Sequence, residues 1–92
     1  MLRIHIEEQC RAVTIRLEGR LSGPWVTELD RCWQYTLAGH SSKSLVVALE
    51  AVTYVDVAGE HLLLEMQRGG ASLVGKGMWS QHLVEQIRQR AS

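Results

Sequence analysis

The 92-residue chain has room for one hydrophobic core, so we predict a single domain over residues 1–92. Its composition, 46% hydrophobic and 22% charged, is that of a globular protein and excludes a disordered or collagen-like one. The charges of ten basic and ten acidic residues cancel, and this lack of net charge disfavours nucleic acid or a membrane surface as the partner.

Two alternating segments predict an N-terminal β-hairpin. Apolar and polar residues alternate over residues 2–6 and 13–17, and the polar link between them is short. The N-terminus lacks the apolar core of a signal peptide, and no segment has the roughly 18 consecutive apolar residues of a membrane span. We therefore expect a cytoplasmic protein without membrane insertion, in which Cys10 and Cys32 are free thiols.

The first helix is predicted to begin at Ser22-Gly23-Pro24. Ser22 is a capping residue, Pro24 suits the first helical position, and Gly39 supplies a stop. The buried stripe of this helix is predicted to be Val26, Leu29, Trp33 and Leu37.

The second half of the chain alternates predicted strands and helices. Residues 45–49 are apolar without alternation, which favours a central strand covered on both faces. A leucine-rich helix starting at Asp56 and a short strand over residues 71–75 follow. A last helix has the apolar stripe Trp79, Leu83, Val84 and Ile87, with Arg88 and Arg90 in its final turn. The order ββαβαβα, with right-handed crossovers, predicts an α/β fold with a four-stranded mixed sheet covered by about three helices.

A single carboxylate stands in the mostly apolar segment TYVDVAG, residues 53–59. Asp56 precedes the predicted second helix, where its side chain can accept hydrogen bonds from the first free backbone N–H groups. Gly59 then allows the first helical turn to approach the sheet or a partner closely.

The segment LVVALEAVTYVDVAG, residues 45–59, resembles the signature of the STAS domain. This family comprises bacterial anti-sigma factor antagonists and the cytoplasmic tails of sulfate transporters. In its signature an apolar strand, an Asp-Leu pair and a Val-Thr-Tyr-like turn lead into Asp-Ser-Ser-Gly. LEGRL, residues 17–21, resembles the Leu-x-Gly-x-Leu before the family's first helix, and GASLVG, residues 70–75, resembles its last strand. The resemblance covers most of the chain in the right order and implies a STAS-like fold.

The departures from the signature remove polar groups. In the family, a partner kinase phosphorylates the serine directly after the motif aspartate, but Val57 and Ala58 stand at the two serine positions here. Ala48 and Ser22 stand where the family often has aspartates. The resemblance therefore implies a domain without phosphorylation at position 57. Modification of the nearby hydroxyls of Thr53, Tyr54 and Ser22 stays open, although turn packing is the simpler role for Thr53 and Tyr54.

The resemblance implies a non-catalytic protein–protein interaction module of transcription regulation that docks through the start of the second helix. Asp56 would cap the helix and set the shape of the docking surface. Val57 and Ala58 would form its apolar contact, and Glu60 and His61 its polar rim. The full set of expected partner-binding residues is Asp56, Val57, Ala58, Gly59, Glu60, His61, Ser22 and Trp25. Trp25 suits either the core or an interface anchor.

The expected partner is an anti-sigma factor kinase. The alternatives are the ABC transporter subunits of a lipid-transport complex, or a small ligand or nucleotide in a sensing domain. Self-association into a homodimer stays open.

Other chemistry finds little support in the sequence. GASLVGKG, residues 70–77, lacks the Ser or Thr of a phosphate-binding loop and falls on a predicted strand. His61 and Glu65 are four apart on a helix, but no third metal ligand is indicated. We expect no cofactor, no metal and no catalysis.

Overall fold

The computed structural model describes residues 2–39, 43–75 and 78–91, and among them the elements follow the predicted order ββαβαβα. This confirms the predicted fold class. The strands are β1 Leu2–Glu8, β2 Ala12–Leu21, β3 Ser44–Val55 and β4 Ser72–Val74, and the helices are α1 Pro24–Gly39, α2 Val57–Arg68 and α3 Met78–Ala91.

The four strands form one mixed sheet in the order β1-β2-β3-β4. Strand β1 is antiparallel to β2, as the predicted hairpin requires, whereas the β2–β3 and β3–β4 pairs are parallel. Between the pairs Arg16–Ala48 and Leu21–Val55, β2 advances five residues and β3 seven, so β3 carries two extra residues in bulges. The bulges let β3 continue to Val55.

The continuation of β3 corrects one expectation. The resemblance placed Thr53 and Tyr54 in a turn, but both lie in β3, where Tyr54 is the register partner of Arg20. The strand continues because the end of β2 runs alongside it, with Val52 beside Gly19. The chain turns only at Asp56, directly before α2.

One face of the sheet carries the core. Two right-handed crossovers in the same direction place α1 and α2 on the same side. Alternate residues of β2, namely Val13, Ile15 and Leu17, are buried there. The helices contribute the buried Leu29, Trp33, Leu62, Leu63, Met66, Leu83, Val84 and Ile87 to the same cluster. The stripes predicted for the first and last helices are confirmed: Leu29, Trp33, Leu83, Val84 and Ile87 are buried, and Val26 and Leu37 are partly buried against the core. The side chain of Trp79 lies outside the described part.

The opposite face of the sheet is not covered by the described helices, so the expectation that β3 is covered on both faces is wrong. Arg16, on this face, pairs with Glu7 at 3.2 Å between charged atoms, and both side chains are exposed. Val46 is half-exposed, and Ala48 is buried although none of the described helices lies on this face. The apolar run therefore predicted a central strand correctly. On the second face, however, Ala48 is buried because its side chain is small and lies between neighbouring strands.

Helix α1 begins at Pro24 and ends at Gly39, as predicted. Arg88 and Arg90 lie in the last turn of α3, also as predicted. The predicted loop residues 40–42 lie outside the described residues. Among the helices of the described segments, none combines the length and the apolar character needed to cross a bilayer.

Candidate functional site

Asp56 caps helix α2, as the sequence predicts. Its backbone is extended (φ −83°, ψ 179°), and its Oδ1 accepts a hydrogen bond from the Gly59 backbone N–H at 2.7 Å. The carbonyl of Asp56 accepts the Glu60 N–H at 2.9 Å. One of the free N–H groups at the helix start is therefore satisfied by the side chain.

The second carboxylate oxygen of Asp56 binds the segment before helix α1. Its Oδ2 accepts the Gly23 N–H at 3.0 Å, and the Asp56 N–H donates to the Leu21 carbonyl at 3.1 Å. Asp56 thus connects the starts of α1 and α2, which are far apart in sequence. Gly23 was not among the residues expected at the site. Its local signal in the sequence is the Gly-Pro pair, and in the structure Gly23 has a positive φ of 56°.

The two backbone donors affect the acidity of the carboxyl group. The hydrogen bond from Gly23 and then that from Gly59 lower the pKa of Asp56 from its ordinary value of 3.8, and partial desolvation opposes them. The carboxylate is therefore charged at neutral pH, but both of its oxygens are already hydrogen-bonded within the chain.

Gly59 is the position where the first turn of α2 meets the sheet. A Cβ at this residue would lie 2.8 Å from Val55 Cγ1, 2.9 Å from the Leu21 carbonyl oxygen and 3.0 Å from Leu21 Cγ. Real Cβ atoms do not approach other atoms so closely, so the close approach needs glycine. This contact fixes α2 against the ends of β2 and β3, and hence holds Asp56 within reach of Gly23.

The side chains that follow Asp56 point outward. Val57 is 69% exposed, a large value for an apolar residue, and Ala58 and His61 are exposed as well. Glu60 is half-buried, and its Oε2 lies 3.5 Å from Arg90 Nη1 in the last turn of α3. The start of α2 therefore presents an apolar tip with a charged pair at one side.

The two expected site residues outside α2 lie on the neighbouring segment. Ser22 adjoins Gly23, and its carbonyl accepts the Trp25 N–H at 3.2 Å. Trp25 is half-buried and packs against the core cluster. Part of its side chain therefore fills the core and part remains accessible, which supports the core role, and the role as an interface anchor stays a prediction.

The hydroxyl-bearing residues before Asp56 are engaged differently from each other. Thr53 Oγ1 donates to the Gly19 carbonyl at 3.2 Å, across to β2. Tyr54 is 43% exposed, and the Arg20 guanidinium carbon lies 4.6 Å from the centre of its ring. Arg20 was not among the residues expected at the site, although it lies within the motif LEGRL, residues 17–21.

The surroundings of the site offer few groups for a small ligand. Two depressions adjoin the site. One of about 200 Å³, lined partly by Tyr54, Glu60 and His82, is smaller than the roughly 300–1,000 Å³ of ordinary ligand pockets. The other, of about 510 Å³, is lined by the polar residues Glu60, Gln86, Gln89 and Arg90 and lacks the apolar lining of such pockets. No group of three or more potential metal-ligating side chains occurs in the described segments. Lys76 and Gly77 of the phosphate-loop-like segment lie outside the described residues.

Comparisons with known proteins agree with the fold. No protein-family model matches the sequence, and no curated protein matches it significantly. The structure is similar to that of an anti-sigma factor antagonist from Mycobacterium paratuberculosis, with a TM-score of 0.82 and 16% identity over 97% of this chain and 80% of that one.

Two further structures support the same similarity. For the anti-sigma factor antagonist SpoIIAA in its unphosphorylated form, the TM-score is 0.64 and the identity 17%, over 94% of this chain and 98% of that one. For a STAS-domain antisigma-factor antagonist from Rhodobacter sphaeroides, the TM-score is 0.59 and the identity 17%, over 86% of this chain and 89% of that one. The structural resemblance to STAS domains is therefore confirmed, and at such low identity it concerns the fold.

Proposed function

We propose that the chain is a single-domain, non-catalytic protein-binding module that docks on a cytoplasmic anti-sigma factor through the start of α2, without phosphorylation at position 57. The observation that carries the proposal is the 69% exposure of Val57 at the tip of a helix whose start is held rigidly. An exposed apolar side chain on a fixed backbone can be desolvated by a partner with little loss of conformational entropy.

The rigidity of this tip has two sources in the structure. Asp56 binds the Gly23 and Gly59 amides, and Gly59 lies too close to Leu21 for any larger residue. The helix start therefore does not need to reorganise on binding. The proposed docking surface consists of eight residues: Asp56, Val57, Ala58, Gly59, Glu60, His61, Ser22 and Trp25.

We expect binding to be constitutive, because the residue at position 57 cannot be phosphorylated. A phosphate at position 57 would add about 1.5 to 2 negative charges at this tip. Val57 has no group that can accept a phosphate, so the partner's abundance or its own state would regulate the complex. If that partner is an ATP-binding kinase, its nucleotide would be the only one involved.

The first experiment is a pulldown from native lysate with the immobilised chain. We expect retention of an anti-sigma factor by the wild type and its loss with Val57→Asp, because a partner that covers Val57 would have to desolvate an unpaired carboxylate. Recovery of ABC transporter subunits, or of a small ligand without protein, would contradict the proposed partner. Recovery of no partner by the folded chain would contradict the interaction module itself.

A matched pair of substitutions separates charge from shape at position 57. Val57→Asn resembles Val57→Asp in size but adds no charge. We expect Val57→Asp to weaken binding at least about tenfold, equivalent to about 1.4 kcal/mol, and Val57→Asn to weaken it less. If neither substitution changes the Kd, the partner binds elsewhere.

A gain-of-function substitution tests the absence of the phosphorylation site. Val57→Ser places a hydroxyl at the family's phosphorylated position. If the partner is a kinase, incubation with it and ATP should add one phosphate to Val57→Ser and leave the intact mass of the wild type unchanged. A phosphate on the wild type, mapped to Thr53, Tyr54 or Ser22, would show that another hydroxyl is modified.

A further inference from the structure

The charged groups around the docking surface differ in how far they are already paired. The Asp56 carboxylate accepts hydrogen bonds from the Gly23 and Gly59 amides. The Glu60 carboxylate lies 3.5 Å from the Arg90 guanidinium. The two negative charges of this surface are therefore satisfied within the chain and offer little to a basic partner.

Arg20 is different, because it carries an exposed charge at the same end of the sheet. Its guanidinium lies over the ring of Tyr54, its register partner across the β2–β3 pair. No carboxylate within the described segments forms an ion pair with it. No hydrogen bond among the described residues uses the Arg20 guanidinium as donor, and its planar fork of N–H groups matches the two oxygens of a carboxylate.

The Arg20–Tyr54 stack adjoins the docking surface. Arg20 is the neighbour of Leu21, whose carbonyl accepts the N–H of Asp56, and Asp56 is the neighbour of Val57. Tyr54 precedes Val57 by three residues, which span at most about 10 Å. One partner segment can therefore contact the stack and the tip of α2 together.

We propose that the protein partner presents an aspartate or glutamate beside an apolar side chain, with the carboxylate bound by Arg20 and the apolar side chain against Tyr54 and Val57. Arg and Tyr are also the residue types that most often dominate binding energy at interfaces. This inference rests on the proposed function and deepens it, since it specifies which side chains the partner must present: an acidic one beside an apolar one.

The test uses the partner protein that the wild-type chain retains from native lysate, purified and titrated calorimetrically. Arg20→Gln should raise the Kd at least about tenfold, and Arg20→Lys should raise it less, because lysine keeps the charge but not the planar fork. The matched control is Arg11→Gln, an equal loss of exposed charge at the other end of β2, roughly 30 Å away. We expect this control to change the Kd less than about twofold.

Two further measurements identify the carboxylate. Wild-type binding should weaken between roughly 50 and 300 mM NaCl, and Arg20→Gln should lose most of this dependence. Arg20→Glu should abolish binding, and a partner variant with its contacting Asp or Glu changed to Arg should restore it. Thermal unfolding and circular dichroism of the Arg20 variants verify that each is folded.

The outcomes separate this inference from the proposed function. If Val57→Asp releases the partner while Arg20→Gln binds like the wild type, the docking surface stands and the acidic recognition element is refuted. If Arg20→Gln and Arg11→Gln weaken binding equally, only net charge matters, which also refutes it. If neither Val57→Asp nor Arg20→Gln affects binding, or if no partner is retained, both proposals fail.

Discussion

Substitution of Gly59 by alanine tests the close approach that positions the site. The added Cβ would meet Val55 Cγ1 at 2.8 Å and the Leu21 carbonyl oxygen at 2.9 Å, whereas ordinary contacts begin near 3.4 Å. The carbonyl belongs to the backbone of β2 and cannot rotate away. Relief therefore requires the first turn of α2 to move outward from the sheet.

The expected cost follows from two opposing effects. Overpacking of a well-packed site costs about 1–3 kcal/mol, and alanine regains about 0.5–1 kcal/mol over glycine through its better helix propensity. Gly59 has no positive φ, so alanine gains this propensity without backbone strain. The net loss in the free energy of unfolding is about 0–2.5 kcal/mol, centred near 1 kcal/mol, and for a domain of this size a loss of about 1 kcal/mol lowers the Tm by roughly 4–8 °C.

The assay is urea unfolding followed by circular dichroism and tryptophan fluorescence, with Gly39→Ala as the matched control. Gly39 also lies in a helix, but a Cβ there meets no atom within 4 Å. The control should leave the unfolding free energy unchanged or raise it by up to about 1 kcal/mol. The m-value should remain that of the wild type in both variants.

A second observable reports the geometry of the site. When α2 moves outward, the hydrogen bonds from the Gly23 and Gly59 amides to Asp56 lengthen, and both amides should exchange faster with deuterium than in the wild type. A Gly59→Ala variant at least as stable as the wild type, with unchanged exchange at Gly23, would refute the close-approach argument.

Three further predictions concern the same end of the molecule and its core. Since Asp56 has a lowered pKa, its charge stabilises the fold fully above its ordinary value of 3.8, and this contribution is lost as the pH falls through the folded-state pKa below it. The stability difference between the wild type and Asp56→Asn in urea should therefore be largest at neutral pH and shrink below pH 3.8; a constant difference would contradict the argument. Val57→Asp should leave the Tm nearly unchanged, because the side chain is exposed and a carboxylate suits a helix start; a large fall in a thermal melt would show that Val57 supports the fold. Leu63→Ala, in the fully buried core of α2, should cost about 2–5 kcal/mol in urea unfolding, whereas Arg90→Gln should cost under about 1 kcal/mol because its pair with Glu60 is accessible to water.

The proposed lack of a phosphorylation site depends on what surrounds Val57. Asp56 and Gly59 form the cap and the close approach, both of which the structure shows. The two residues between them are exposed and make no visible contribution to the fold. The fold therefore does not constrain their identity, which is why we relate the absence of a hydroxyl there to the proposed function.

The sequence alone determined the order of the elements and the starts of two helices. Hydrophobic periodicity and capping are local signals, so the helix starts at Pro24 and after Asp56 and the buried stripes could be predicted from neighbouring residues. The motif resemblance added the STAS-like fold, which the structure confirms.

Only the tertiary structure decided which of these local features meet. Oδ2 of Asp56 binds Gly23, 33 positions away, and Arg20 stacks on Tyr54 because the bulges of β3 set that register. The open face of the sheet likewise follows from two crossovers in the same direction, which residues 45–49 cannot reveal. Such contacts depend on how whole elements pack, and no periodicity within one segment encodes them. The sequence located the cap, and packing turned it into a link between two helices.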